Sequence, residues 1–579
     1  MAKHKDSSRS PSKTPDVELE VDPIQKSTGT TPAMEEEEIL DKNCCGLCHY
    51  DFWPPGIELK TFIPLLLFLL SEGITGPSMS SYSSYLIVDV GAVSDIDDAG
   101  DYSGILMSSF FICQFVSSLF LGIISDKFGR RPFLIISGLL GGAFQIAFGF
   151  STKLWMAILF RALGGLCNGS VGIAKTGIAD ITDKSNRTKA FTFIGLMFGI
   201  GSIIGSTIGG FTARPAVEYP ETFSADGFFG KYPYALPNLI IGAYTLIISI
   251  AAIFCLGETN PLVLKKRQGE KVDMSMYPTI TLDIVDVNTG IVSFNTAHVI
   301  TEGSTEEQGE EVPNIIFEAL EYEDEMMAKA NLWGKIKRLK FPILATAVYT
   351  CSSLLQFIYV TITSVWTVAT PEVGGLNFTP LKLGIFTAAD GVCVILIILF
   401  LSERIINFLT PVWSSRLVGI YLIPVSCCAP LANNILRKTG NKVGMWAYLV
   451  IIAFLWQIAT QVMMNAALGM IANSVNPMKL GLWNGISQGA GSVARALSPV
   501  TISLLLSWSF KDGRKFPFNY FFSFFINAII CIILLIFAFI MPKEIDIPYV
   551  QRYIEERKST GNVSPADEIM EKRGLINKI

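Results

Sequence analysis

The sequence predicts an all-α protein that crosses a membrane many times, with twelve transmembrane helices in two bundles of six. Half of the 579 residues are hydrophobic (50%) and only 16% are charged, whereas soluble domains carry about 25% charged residues. The chain contains twelve apolar runs near the roughly 20 residues that a helix needs to cross a bilayer. A long polar segment separates the first six runs from the last six, so each half predicts its own bundle.

The apolar runs define the predicted helices and the domain boundaries. In the first half they cover 61–88, 103–125, 133–151, 154–179, 190–212 and 236–257. In the second half they cover 341–368, 380–402, 411–436, 443–472, 481–508 and 517–541. The predicted domains are an N-terminal tail (1–55), an N-terminal bundle (56–257), a linker (258–340), a C-terminal bundle (341–541) and a C-terminal tail (542–579).

Polar sequence makes up the tails and the linker. The first apolar run begins too far into the chain for a cleavable signal peptide, and β-prone runs between 279 and 299 favour a small ordered element in the linker. In the N-terminal tail, Glu35–Glu38 followed by Ile39 and Leu40 resembles an acidic dileucine sorting signal. Such a signal predicts a vacuolar or endosomal membrane. The alternative is a solvated acid run, which leaves the plasma membrane as the location.

Lysine and arginine in the short loops predict the orientation, because such residues concentrate on the cytosolic side. The loops at 126–132 and 180–189 each carry three of them, whereas 89–102 holds five aspartates and neither basic residue. Both termini and the linker are therefore predicted to be cytosolic. In the second half six basic residues fall on the predicted outer side: Arg437, Lys438, Lys442, Lys511, Arg514 and Lys515.

Several classes of protein are excluded. A net charge of −5 gives no electrostatic footprint for nucleic acid. The chain lacks a P-loop motif, and its three histidines lie outside the predicted spans, so we expect neither an enzyme nor a resident cofactor. Cys45, Cys48 and His49 offer three soft ligands at metal-binding spacing, but acylation of these cysteines, or no role, is the alternative.

The strongest local motif is the turn between the second and third predicted helices. It reads Gly122-Ile-Ile-Ser-Asp126-Lys127-Phe-Gly129-Arg130-Arg131-Pro. Gly122 permits close helix approach, Gly129 permits a tight turn, and Asp126 can accept from an arginine or lie at a helix N-terminus. Such a loop can act as a latch that stabilises one conformation. A simple basic topology signal is the alternative.

This turn resembles the signature of the major facilitator superfamily, G-x-x-x-D-[RK]-x-G-[RK]-[RK], at every fixed position. The resemblance also covers the six-plus-six layout. It implies two six-helix bundles around a central cavity, a small-molecule substrate, alternating access in the bilayer, and a monomer.

The fifth predicted span carries glycines at four-residue intervals, Gly201, Gly205 and Gly209, followed by Gly210. They form a smooth face for close helix packing. They also fit the superfamily's antiporter motif, G-x(8)-G-x(3)-G-P-x(2)-G-G, although Thr192 replaces its first glycine and Ser206 its proline. The resemblance implies proton antiport; plain glycine packing is the alternative.

Two charges in the first bundle are candidates for proton coupling. Glu72 lies roughly 17 Å into the first span, near mid-membrane, where a carboxyl group is a plausible proton carrier. Arg161 is followed by a glycine in the fourth span, where the superfamily has an arginine linked to proton coupling. A permanent structural salt bridge between Glu72 and Arg161 is the alternative.

Polar residues in the second bundle are candidates for lining the cavity. Asp390 and Arg495 are isolated charges in apolar runs, and Gln457, Gln461 and Asn465 share one helix face. Asn484 and Gln488 precede Arg495 in the eleventh span. Hydrogen bonding between helices is an equally good explanation for the three amide side chains.

Segments around the eleventh span resemble the zinc-induced facilitator-like branch of the drug:proton antiporters. The matching runs are Asn473–Pro477, Gly481–Gln488, Ala494–Pro499 and Gly374–Leu376. That branch also has a C-x-G-C motif, which Cys45-Gly46-Leu47-Cys48 matches in spacing, and a linker histidine that is missing after Glu258-Thr259. Zinc is therefore not indicated as the substrate, and metal chelates, organic anions, drugs and auxin-like acids stay open.

These features together predict a secondary active transporter of a small solute, with proton-coupled antiport as the mechanism. A facilitator or proton symporter is the alternative, because the helix-five motif is imperfect. A transport-fold receptor that signals through its linker and tails is a third interpretation. The intramembrane charges favour transport, since a pure sensor needs no proton carrier.

Overall fold

The computed structural model describes residues 56–182, 187–260, 263–264, 281–282, 294–295, 339–475, 480–511, 514–549, 551–552 and 555. The N-terminal tail, with the acid run and Ile39-Leu40, lies outside the described residues, as do Cys45, Cys48 and His49. Most of the predicted linker and C-terminal tail also lie outside them.

The first half is built from helices. Their bounds are α1 (Leu59–Ser80), α2 (Ser83–Asp89), a 3-10 helix (Ile96–Asp98), α3 (Gly100–Phe128), α4 (Arg130–Gly149), α5 (Leu154–Cys167), α6 (Ser170–Asp180), α7 (Arg187–Thr212), α8 (Pro215–Glu218), α9 (Phe228–Lys231) and α10 (Ala235–Cys255). In the linker, β1 (Thr281–Leu282) pairs antiparallel with β2 (Phe294–Asn295), with Thr281 opposite Asn295. The small ordered element predicted there is this strand pair.

The second half repeats the helical pattern. Its elements are α11 (Lys340–Trp366), α12 (Pro380–Leu396), a π-helix (Ile397–Ser402), α13 (Glu403–Leu409), α14 (Pro411–Cys428), α15 (Leu431–Thr439), α16 (Lys442–Ser474), α17 (Leu480–Phe510), α18 (Phe521–Ile540) and a 3-10 helix (Lys543–Asp546). We call the side where α1 begins and α18 ends the terminal side, and the opposite side the far side.

The predicted membrane-spanning fold is confirmed. Among the described residues, eleven helices are long and apolar enough to cross a membrane. The second predicted span corresponds to α3, whose 29 residues would extend about 43 Å, enough length for a twelfth crossing.

Several spans predicted as continuous helices are interrupted. The first breaks after Ser80, the fourth between Cys167 and Ser170, and the ninth between Cys428 and Leu431. Pro430, at the ninth break, has no backbone N–H to donate. The eighth span passes through a π-helix, a distortion that is frequent at functional sites. The apolar runs did not predict these breaks, since each run continues across the break.

Each half has its own buried core, with one cluster near each side of the membrane. In the first half these clusters include Phe62, Leu134 and Ile178 on the terminal side, and Tyr82, Leu106 and Phe148 on the far side. In the second half they include Val418, Trp456 and Leu534, and Trp366, Leu383 and Phe524. Each half therefore contributes two packed clusters of its own.

Polar bonds join the halves on the far side. Asp97 accepts hydrogen bonds from the backbone N–H of Thr370 at 2.8 Å and from its hydroxyl at 2.7 Å. The Tyr85 hydroxyl donates to the Phe378 carbonyl at 2.7 Å. Every hydrogen bond between the halves in the described part of the chain joins residues at the far ends of their helices.

Glycine contacts tighten the same side. A Cβ built on Gly104 of α3 would lie 1.9 Å from the Ser503 hydroxyl oxygen of α17, and one on Gly210 of α7 would lie 2.7 Å from Gly384 Cα of α12. Such close approach of helices requires residues without side chains. The two bundles are therefore held together on the far side.

Candidate functional site

A chain of hydrogen-bonded polar side chains ends on Glu72 inside the first bundle. The Asn168 amide donates a hydrogen bond to the Glu72 carboxylate, and the Gln114 amide donates to the Asn168 side-chain oxygen at 2.7 Å. Glu72 lies on α1, Gln114 lies on α3, and Asn168 lies in the break between α5 and α6. Broken helices are typical of substrate and ion sites in transporters.

The glycine face of α7 positions α1, and with it Glu72. A Cβ on Gly201 would lie 2.6 Å from the Gly73 backbone, one on Gly205 2.1 Å from the Ile74 carbonyl oxygen, and one on Gly209 2.2 Å from that of Ser78. The close packing predicted for these three glycines is therefore directed at α1. Gly210 instead contacts the second half, as described above.

Arg161 does not pair with Glu72. Its side chain is buried, with 5% exposed, and its guanidinium carbon lies 4.2 Å from the centre of the Phe110 ring. Among the described residues no ion pair joins it to a carboxylate, and its Nε has no hydrogen-bond partner. The salt bridge considered from sequence is therefore replaced by the bond between Glu72 and Asn168.

Positive charges from both halves nevertheless surround Glu72. Its carboxylate interacts electrostatically with Arg161, with Arg495 of α17 and with Lys175 of α6. Lys175 and Arg495 also repel each other across the interface between the halves. Lys175 therefore belongs to this group, although no motif in the sequence indicates it.

Asp390 has a separate network in the second half. Its carboxylate accepts from the Gln457 amide at 2.7 Å and from the Tyr359 hydroxyl at 3.4 Å. The Tyr359 ring stacks on Trp456, with 5.0 Å between ring centres. Both rings line a small cavity of about 30 Å³, which is enough space for a water molecule.

The remaining polar candidates divide into two groups. Asn465 donates at 2.7 Å to Ser402 in the π-helix, a bond between helices, whereas Gln461 donates at 3.4 Å to the Gln457 side chain within α16. Asn484, Gln488 and Arg495 lie at intervals of four and seven residues, which places them on one face of α17. Asn484 is exposed and Gln488 partly buried; the Arg495 guanidinium donates to Ser492 at 2.6 Å.

The loop before α4 is tied to two carboxylates. Glu258, which follows α10, accepts from the backbone N–H of Arg130 at 2.8 Å and of Arg131 at 3.3 Å. The Arg130 side chain forms an ion pair with Asp180 at the end of α6, at 2.5 Å. We call Gly129, Arg130, Asp180 and Glu258 the loop latch. A carboxylate at a helix N-terminus is favoured by the exposed N–H groups and the helix dipole.

Gly129 makes this arrangement feasible. Its φ is 101°, a backbone conformation that suits glycine, and a Cβ there would lie 2.4 Å from a Glu258 carboxylate oxygen. The Arg131 guanidinium donates to the Ile253 carbonyl oxygen at 2.5 Å. Gly122, Asp126 and Lys127 lie within α3, but their side chains are outside the described part of the structure.

The second half repeats the carboxylate cap. Asp546, which follows α18, accepts from the Val412 N–H at 3.0 Å and from the Thr410 hydroxyl at 2.7 Å. Thr410, like Gly129, has a positive φ. In each half, therefore, an acidic residue after the sixth span caps the helix of the third.

Sequence reasoning missed several partners in these sites. Asn168, Gln114 and Asp180 carry no motif, and Glu258 was noted only as part of a linker pattern. No cluster of residues fit to hold a metal ion occurs in the described part of the chain. The predicted metal ligands Cys45, Cys48 and His49 lie outside it.

Comparison with known proteins identifies a family and several relatives. The family model of the Major Facilitator Superfamily matches residues 61–436. Protein ZINC INDUCED FACILITATOR 1 of Arabidopsis thaliana is 25% identical over 481 residues, which cover 83% of this chain and 90% of that protein. The Major facilitator superfamily multidrug transporter mfsB of Aspergillus fumigatus is 27% identical over 511 residues, covering 80% and 81% of the two chains.

Solved structures share the fold. A crystal structure of a D-xylose-proton symporter aligns with a TM-score of 0.56 and 13% identity, covering 84% of this chain and 98% of the other. A bacterial homologue of the human lysosomal transporter Spinster, in an inward-facing and unoccupied conformation, aligns with a TM-score of 0.55 and 10% identity, covering 84% and 96%. At these identities the likeness concerns the fold alone.

Proposed function

The chain belongs to the major facilitator superfamily and resembles its zinc-induced facilitator branch, and on that premise we propose that it couples the transport of a small solute to protons. As a member of this superfamily it is a secondary transporter, an integral membrane protein rather than an enzyme. The proton coupling is our proposal. It is carried by Glu72, the acidic side chain at the end of the polar chain in the first bundle.

Glu72 suits a proton carrier because its surroundings can respond to its charge. Asn168, which donates to the carboxylate, lies in a helix break, and Arg161, Lys175 and Arg495 act on it electrostatically. Neutralising Glu72 removes the single negative charge of this group and leaves three positive ones. Protonation therefore changes the attraction of the site for any charged solute.

Antiport is the first candidate for the direction of coupling. The glycine repeat of α7 resembles the antiporter motif, and its members pack on the segment of α1 that carries Glu72. Symport is a second candidate, because three positive charges act on the single carboxylate of Glu72. If protonation of Glu72 leaves these three positive charges without a negative partner, a proton and an anionic solute would bind together rather than compete.

Alternating access is supported by the way the two bundles meet. The bonds of Asp97 with Thr370 and of Tyr85 with Phe378 hold the far side. We propose that these bonds break when the site opens to the far side, and that the loop latch, together with Gly122, Asp126 and Lys127, secures the terminal side in that state. The difference in free energy between the two states then decides the cycling rate.

The orientation and location follow from the loop charges. We propose that the terminal side faces the cytosol, because the loops at 126–132 and 180–189 are basic. The acidic run with Ile39 and Leu40 supports a vacuolar or endosomal membrane. Replacing both aliphatic residues by alanine should then move a tagged protein to the plasma membrane, and an unchanged distribution would exclude that role.

The experiment that tests proton coupling is solute-dependent proton flux in proteoliposomes. The purified chain is reconstituted with a pH-sensitive dye inside, and a panel of acids, amines and neutral solutes is added outside. A pH change that depends on both protein and solute supports coupling, and its sign separates antiport from symport. Solute uptake without any proton movement would identify a facilitator and contradict the proposal.

A further inference from the structure

The charges around Glu72 do not balance. Arg161, Lys175 and Arg495 all act on this one carboxylate, and no other carboxylate forms an ion pair with any of them in the described part of the chain. Asp390, in the eighth span, bonds to Gln457 and Tyr359 instead. The group therefore holds three positive charges against one negative charge.

Two of these cations, the buried Arg161 and the partly buried Lys175, form no ion pair in the described part of the chain. The Arg161 guanidinium is 5% exposed, and its Nε bonds to nothing in the described part of the structure. Lys175 is partly buried, and its Nζ lies 5.7 Å from the centre of the Phe198 ring. Buried polar groups are normally hydrogen-bonded, and charges within membrane spans are normally paired. A missing anion would satisfy both rules.

Lys175 of α6 and Arg495 of α17 belong to opposite halves of the protein. Their mutual repulsion acts across the interface that must rearrange during transport. An anion between them would turn that repulsion into two attractions, one with each half. Arg495 also shares its helix face with Gln488, about two turns away, and with Asn484, about three turns away, which extends the polar face of α17 toward the terminal side.

Aromatic rings supply apolar surface at the same place. Phe110 lies under Arg161 and Phe198 beside Lys175. Phe111 and Phe357, one from each half, meet edge to face with 4.8 Å between ring centres. Ligand sites commonly combine apolar surface with a few convergent polar groups, and here those groups are cationic.

We propose that the transported solute is a small organic anion, whose carboxylate or phosphate group is held between Lys175 and Arg495 while Arg161 adds positive potential from the other side of Glu72. The assignment rests on the proposed transport function, but not on the direction of proton coupling. It excludes cationic drugs and free metal cations as the preferred solutes, because the site would repel them.

Matched solutes test the assignment by binding alone. The melting temperature of the purified full-length chain is measured with three sets of solutes, each of which contains an acid, a neutral analogue and a cationic analogue. The sets are phenylacetate, phenylacetamide and phenethylamine; succinate, succinamide and 1,4-diaminobutane; and glucose 6-phosphate, glucose and glucosamine. We expect at least one acid to raise the melting temperature while its neutral and cationic analogues do not. Stabilisation by an amine or neutral analogue above its acid, or by no acid at all, would overturn the proposal.

Charge variants locate the anion. Lys175→Gln and Arg495→Gln should each weaken binding of the active acid by about tenfold or more, the scale of a lost charge-assisted hydrogen bond in a buried site. Lys175→Arg, which keeps the charge, should retain most of the affinity, and Lys382→Gln, at an exposed position on the far side, should change nothing. Unaltered affinity in both glutamine variants would contradict the site.

Two further outcomes separate this inference from the proposed function. Proton-coupled transport of an amine or neutral solute would preserve the function and overturn the anion assignment. Binding of an acid that depends on Lys175 and Arg495, without transport of that acid, would support the site and contradict the function.

Equal stabilisation by inorganic phosphate and sulfate would show that the solute is an inorganic anion, and so overturn the organic assignment.

Discussion

The carboxylate of Glu258 lies at the N-terminus of the helix that begins at Arg130, and it accepts the Arg130 N–H at 2.8 Å. The same carboxylate also accepts from the N–H groups of Thr259 and Asn260. One side chain after the sixth span thus fixes both its own turn and the start of the third span. Asp546 caps the corresponding helix of the second half, so the cap belongs to both bundles.

The first prediction concerns the stability that this cap provides. Glu258→Ala should lower the free energy of unfolding by about 1 kcal/mol, the usual scale for a lost helix cap, and so lower the melting temperature in detergent. Glu258→Gln keeps an acceptor oxygen and should lose less. Glu221→Ala, an exposed acid on the far side, is the control. A melting temperature equal to that of the native chain in Glu258→Ala would show that the cap is not stabilising.

The second prediction concerns Gly129. An alanine there combines a strained φ with a Cβ that would lie 2.4 Å from the Glu258 carboxylate, so Gly129→Ala should displace that carboxylate from the helix N-terminus. The double variant Gly129→Ala with Glu258→Ala should therefore be less destabilised than the sum of the two single variants. Simple additivity of the melting data would mean that the two residues act independently.

The third prediction concerns the ion pair between Arg130 and Asp180. Arg130→Ala and Asp180→Asn should both slow turnover by more than they weaken solute binding, because the pair lies in the loop latch, away from the charges around Glu72. Rates and affinities measured in the same proteoliposome preparation decide the matter. Loss of affinity with normal turnover would place these residues in the binding site instead.

The fourth prediction concerns pH. Protonation of Glu72 removes the one negative charge that opposes an anion near Arg161, Lys175 and Arg495, so anion binding should strengthen as the pH falls and weaken as it rises. Glu72→Gln, which imitates the protonated acid, should bind the anion tightly at every pH and should exchange it without proton flux. A titration of affinity against pH that is the same in the native and Glu72→Gln proteins would exclude Glu72 as the proton carrier.

Some of this site was predictable from the sequence, and some was not. Glu72, Arg161, Asp390 and Arg495 are conspicuous because a charge in an apolar run has few explanations. Asn168 carries no comparable signal, since an amide is unremarkable until the helix is seen to break beside it. The bond between Arg130 and Glu258 joins residues 128 positions apart, a separation that neither spacing nor periodicity reports.

The contact between the two halves on the far side was likewise not predictable from the sequence. The sequence showed five aspartates between the first two spans and gave no reason to prefer Asp97, because its partner, Thr370, lies 273 positions away. The helical repeats were predictable from apolar length alone. The breaks in the first, fourth and ninth spans depend on packing between helices, which the apolar pattern does not encode.

The fifth prediction uses that contact to test alternating access most directly. In the double variant Asp97→Cys with Thr370→Cys, oxidation should join the two halves by a disulfide on the far side, and each single variant serves as the control for the native cysteines. Solute-dependent proton flux in proteoliposomes should stop on oxidation of the double variant and return on reduction, while the single variants remain active throughout. Full flux through the crosslinked protein would contradict the account, because the far side would then never need to open.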